Sequence, residues 1–138
     1  MATIDVKPLV LKDVTLKIGA DNYEKHVSSV KFTPSSSTIT WAGLSPDAVF
    51  SDTTAPTWTC EIEFVQDWET ENSLSRYLFD EQGETKAVEF VPVKGAGNLK
   101  VDANLTITPG SIGGAVNQYA TDTVTLGSDK PVLGTAGV

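Results

Sequence analysis

The stretch TWTCEIEF, Thr57–Phe64, alternates strictly between apolar and polar residues. Trp58, Cys60, Ile62 and Phe64 fall on one side, and Thr57, Thr59, Glu61 and Glu63 on the other. Successive side chains of a strand point to opposite faces, so this pattern describes a strand with one buried and one wet face. Outward from it the same period recurs. Val14, Leu16 and Ile18 share a side in Asp13–Gly19, Val30 and Phe32 in Tyr23–Pro34, and Ile39 and Trp41 in Thr38–Trp41. Downstream, Thr85–Val93 carries Val88 and Phe90 and closes on Pro92, a residue suited to a strand end or edge. Asn98–Pro109 alternates through Leu99, Val101, Ala103, Leu105 and Ile107, and Tyr119–Leu126 repeats the pattern more weakly.

The period changes once. In Glu71–Gln82, Leu74, Tyr77 and Leu78 stand at i, i+3 and i+4, the packing stripe of a short helix. Thr70 or Asn72 suits its N-cap, Glu71 the positive end of its dipole, and Gly83 its stop. The expected fold is therefore mainly β, an antiparallel β-sandwich or partly closed barrel with one flanking short α-helix. Three segments sit outside that scheme. Gly43–Pro56 reads as a long loop without a strand pattern, Met1–Pro8 precedes the first strand, and Gly127–Val138 trails the last with three glycines and Pro131.

A chain of 138 residues suits one domain, here 1–138. Apolar residues at 40% and charged residues at 20% are globular proportions. Eighteen acidic against ten basic side chains leave a net charge of −8, which repels nucleic acid and anionic membrane surfaces. Cys60 is the only cysteine, so no internal disulfide is expected. The opening residues intersperse charges at Asp5, Lys7, Lys12 and Asp13, unlike a secretory signal, and no apolar run approaches membrane-spanning length.

Reactive groups are scarce. His26 is the sole histidine, so neither a multi-histidine metal site nor a cysteine pair for zinc exists within one chain. Cys60 alternates with Trp58 and Ile62 on the face expected to be buried, where a thiol is inert. Glu61 and Glu63 stand roughly 7 Å apart by strand rise, but side by side on one solvated face rather than across a cleft. Gly110–Gly114 lacks the Lys–Ser/Thr of a phosphate loop. Trp41 and Trp58 alternate with apolar neighbours, which points to core packing, and Trp68 falls at the junction of strand and helix. No catalytic residue, metal or cofactor is expected.

A strand ending in Glu63–Phe64–Val65–Gln66–Asp67–Trp68, then Ser73–Leu74–Ser75–Arg76–Tyr77–Leu78, a glycine turn and the strand Val88–Glu89–Phe90–Val91–Pro92 resembles the central block of siphophage major tail tube proteins. The flanking strands and the long early loop resemble the same family, and the specific part spans about Thr57–Pro109. The resemblance implies a non-enzymatic virion protein of long-tailed bacteriophages, made in the bacterial host cytoplasm. It also implies homo-hexameric rings, stacked helically into a tube through which DNA passes without specific binding, with tape measure, tail terminator and tail-tip proteins as partners. Gly43–Pro56 would be the inter-ring loop, anchored by Leu44, Pro46, Val49 and Phe50, with Met1–Pro8 and Gly127–Val138 as N- and C-terminal arms. Leu74, Tyr77 and Leu78 would pack the helix on the body. Glu61, Glu63 and Glu89 would face the lumen, where negative charge keeps DNA from sticking. Two other readings stay open: a related tube or terminator component of a phage tail or contractile injection system, and a carbohydrate- or protein-binding β-sandwich.

Overall fold

The computed structural model describes residues 2–93 and 97–135. Its described elements run β1 (Thr15–Ile18), β2 (Asp21–Asn22), β3 (Val27–Ser35), β4 (Thr38–Ala42), β5 (Val49–Thr53), β6 (Thr57–Val65), α1 (Leu74–Asp80), β7 (Thr85–Val91), β8 (Leu99–Thr106), β9 (Thr121–Ser128) and β10 (Val132–Thr135). The fold is mainly β with one short helix, and every strand pairing is antiparallel.

Eight strands form one sheet in the order β2-β1-β7-β8-β9-β6-β3, with β10 added to β8. This sheet does not close into a barrel. Its hinge is the short β8–β9 ladder, where Leu105 meets Ser128 and Thr106 meets Gly127. Beyond it the two parts turn to face each other. Phe32 on β3 and Phe90 on β7 lie four strands apart along the sheet, yet their rings approach to 6.2 Å. The result is consistent with a sandwich whose leaves are β2-β1-β7-β8-β10 and β9-β6-β3.

The alternation explains the core. Cys60, Ile62 and Phe64 of β6 point inward with Val124 and Leu126 of β9, against Leu16, Ile18, Val88, Phe90, Val101, Ala103 and Leu105 of the other leaf. Leu74 and Leu78 of α1 join them fully buried, and Tyr77 packs beside Tyr23 with ring centroids 5.6 Å apart. The helix is shorter than the expected segment Glu71–Gln82, and its cap differs from the expected one. Asn72 takes a left-handed conformation (φ 63°), and Ser73 becomes the N-cap, its hydroxyl accepting from the Arg76 N–H. Neither Thr70 nor Asn72 does so, because Asp67 folds the preceding turn by accepting from the N–H groups of Glu69 and Thr70. The Thr70 side chain, and after it those backbone N–H groups, hold the Asp67 carboxyl below the usual range. At the other end, Glu81 is the C-cap and pairs with Lys86 at 3.6 Å, which gives one of the acidic residues there a local partner.

Two segments expected to be irregular contain strands. Residues 49–53 of the supposed loop form β5, which pairs with β4 from Thr38↔Thr53 to Ala42↔Val49. Polar Ser51, Asp52 and Thr53 hid this strand from a reading based on burial, since a strand exposed on both faces needs no alternation. Part of the expected C-terminal arm is also a strand. Residues 127–128 complete β9, and β10 pairs with β8 from Val132↔Asp102 to Thr135↔Leu99. Asp129 anchors this return: its carboxylate accepts from the backbone N–H of Asn104 at 2.9 Å and from Asn104 Nδ2 at 3.0 Å. The arm thus folds back on its own sheet, and 136–138 lie outside the described residues, as does Met1 of the N-terminal arm. Residues 2–8 carry no strand and are exposed.

Candidate functional site

The hairpin β4–β5 continues the β3–β6 pair past the end of the body. Ser35 pairs with Thr57 at its root, and the ladder resumes at Thr38↔Thr53. Between these points Ser37 and Thr54 hold the two strands together, through Thr54 N–H to the Ser37 carbonyl at 2.8 Å and Ser37 N–H to the Thr54 hydroxyl at 2.9 Å. All ten residues of β4 and β5 are exposed, and each strand's substantial contacts are with the other alone.

Its side chains are unusually apolar for such exposure. Trp41 stacks on its register partner Phe50 with ring centroids 6.0 Å apart, yet they stay 63% and 65% exposed. Ile39 lies on the same face, two residues from Trp41. The expected core role of Trp41 therefore fails, because this hairpin reaches beyond the opposite leaf. Of the four proposed anchors, Phe50 belongs to the Trp41 face and Val49 to the reverse face. Leu44 and Pro46 stand exposed in the turn, where the Ser45 hydroxyl donates to Asp47 and holds that carboxyl below its ordinary range.

Near the hairpin root the sandwich opens as an apolar cleft of about 630 Å³, bordered by Leu9, Phe32, Trp58, Phe90, Leu99 and Leu133. Trp58 is half-buried there, with its indole N–H buried and unpartnered among the described residues. On the other side, β1 and β3 leave a second cleft of about 320 Å³, and among the described residues β3 has no strand beyond it. An unpaired strand edge presents N–H and C=O groups that another strand can take up.

The acidic candidates do not share a face. Glu61 and Glu63 point outward from β6, flanked by Lys31 and Ser29 of β3 and by Thr125 and Thr123 of β9. Glu89 points outward from β7 on the opposite leaf, 3.8 Å from Lys100. Within one subunit the three therefore stand on two different faces.

Burial pushes the Cys60 thiol up to about 12. His26 lies at the far end of β6, where its carbonyl accepts from Val65 N–H, roughly 16 Å along the strand from Cys60. Among the described residues, no three His, Cys, Asp or Glu side chains converge as metal ligands, and no helix is long and apolar enough to cross a membrane. Trp68 donates to the Gln66 side-chain carbonyl at 3.2 Å and meets Phe79 edge-on.

No protein-family model matches this chain, and no curated protein matches it.

Proposed function

We propose that this chain is a non-enzymatic structural subunit that assembles with copies of itself. More particularly, it serves as the tail tube protein of a long-tailed phage, in hexameric rings stacked into a conduit for DNA. The observation that carries the first step is the β4–β5 hairpin, whose Ile39, Trp41, Leu44 and Phe50 stand uncovered by the chain's own body. Exposed apolar patches of this kind mark contact surfaces. The unpaired margin of β3 supports lateral association, because strand edges that pair around a ring cease to be an aggregation hazard. The order of strands and helix in Thr57–Pro109 supports the particular assignment. In it, Glu61 and Glu63 line the bore and repel passing DNA.

The exposed Trp41–Phe50 pair also favours a second reading, a carbohydrate-binding platform. Negative-stain electron microscopy and sedimentation velocity on the purified chain separate the two. Rings or tubes support the subunit reading. A strict monomer at high concentration that retains a glycan on a Trp41-dependent surface refutes it.

A further inference from the structure

Opposite the β8–β9 hinge the sandwich is open, because β3 ends one leaf and β1 with β2 ends the other. Residues 9–14 cross this opening, and they border both of the clefts described above. Leu9 and Leu11 share the cleft of about 630 Å³ with Val30 and Phe32. Lys12 and Val14 share the cleft of about 320 Å³ with Val27 and Ser29. Leu11 and Val30 border both. The segment therefore runs beside β3 in the opposite direction, its early residues near the end of that strand and its late residues near the beginning.

An antiparallel alignment with Leu11 opposite Val30 sets Leu9 opposite Phe32, Val10 opposite Lys31 and Lys12 opposite Ser29. Residues directly opposite in such a pair share a face of the sheet. Val30 and Phe32 pack against the core, so this register turns Leu9 and Leu11 inward beside them. Val10 and Lys12 then face outward with Lys31 and Ser29, and no like charges stand directly opposite. A slip of one residue would instead drive Lys12 into the opening. Pro8, which has no N–H, falls where a strand would begin. In this structure the segment stops short of pairing. Leu9 is 62% and Leu11 45% exposed, and no described strand takes up the outer edge of β3.

We propose that residues 9–12 are a strap that closes on the free edge of β3 in this register and seals the opening between the leaves. The tether selects the chain's own segment as the occupant. Lys12 stands three residues before Thr15, the first residue of β1. So short a connection holds the strap at an effective concentration on the order of millimolar, which a free second copy at micromolar concentration does not match. Resting on the self-assembly reading, the closed strap also competes with a neighbouring copy for the β3 edge, so lateral association requires its release.

Disulfide trapping tests the register. Val10 and Lys31 are both exposed, and Cys60 stays out of the chemistry because it is buried. Directly opposite residues fall within the Cα span of about 4.4–6.8 Å that a disulfide bridges, whereas partners displaced by two residues stand roughly 7–8 Å apart. In dilute solution V10C/K31C is therefore expected to close an internal disulfide about tenfold faster than V10C/S29C or V10C/T33C, read by mass spectrometry as the loss of two alkylatable thiols. L11C/V30C, on the inner face of the same register, is expected to close as well. Equal rates in all pairs, or disulfides between chains alone, would overturn the strap and leave the self-assembly reading standing. Oxidised V10C/K31C is expected to form fewer rings or tubes than the same variant kept reduced, and equal assembly would overturn the competition for the edge. A wild-type chain that never assembles would overturn that competition together with the self-assembly reading, and the trapping rates then decide the strap by themselves.

Discussion

Replacing Trp41 and Phe50 together by serine separates folding from assembly. Within the chain, these rings touch chiefly each other, so the folded state loses one aromatic pair, worth about 0.5–1.5 kcal/mol. For a domain of this size that is a drop of roughly 4 °C in melting temperature. The surface they offer to a partner is larger. An aromatic side chain presents about 150–250 Å², and nearly two thirds of each remains open, so roughly 250 Å² is available. At about 25 cal/mol per Å² this corresponds to roughly 6 kcal/mol for each hairpin covered, and a measured effect of about 2–4 kcal/mol is usual for residues of this type. The same truncation in the core, Phe64→Ala, costs about 3–5 kcal/mol of stability. Thermal denaturation by circular dichroism should thus find W41S/F50S close to wild type and F64A far below it. Sedimentation velocity should find W41S/F50S unassembled. A double variant that melts like F64A would mean the hairpin is part of the core. One that assembles normally would refute its role as a contact.

Three further outcomes follow from other parts of the molecule. Gly19→Ala places a Cβ 2.7 Å from Tyr77 Oη at a backbone φ of +65°, so chemical denaturation should show a loss of about 1–3 kcal/mol, partly restored in G19A/Y77F, where the steric clash is relieved and the backbone strain remains. Cys60, held near 12 by burial, should resist iodoacetamide at pH 8 until denaturant unfolds the chain; mass spectrometry showing fast labelling of the native protein would contradict its burial. Asp129, whose carboxyl lies below the usual range because Asn104 donates to it twice, contributes stability that is complete above the unfolded value of about 3.9 and disappears as pH falls through the lower folded value. Hydrogen exchange of residues 132–135 should accordingly quicken in D129A at neutral pH, and in the wild type only under acid; identical exchange in D129A would show that β10 holds without this anchor.

The strands of the body were legible in the sequence because burial writes itself as alternation. Leu16 and Ile18, Cys60 to Phe64, Val88 and Phe90, and Val101 to Ile107 each have one face that must leave water, and period two records it. The helix was legible through Leu74, Tyr77 and Leu78, though its cap was not. Ser73 won over Asn72 only because the Asp67 turn set the backbone that enters it. Misplacing Trp41 has the same origin: an apolar residue in a strand pattern reveals a face but not whether another leaf extends far enough to cover it.

What the sequence determined by itself was therefore local: which residues pair their side chains on one face, where the described helix falls, and that a chain with one histidine and one cysteine builds neither a multi-histidine metal site nor a cysteine pair for zinc. Tertiary structure decided everything that depends on which elements meet. It set Glu61 and Glu63 apart from Glu89 on opposite leaves, returned β10 to β8, and left the β4–β5 hairpin exposed beyond the end of the body. Periodicity is a property of neighbours along the chain, whereas leaf assignment and polarity arise from contacts between residues far apart in it, and no local spacing encodes those.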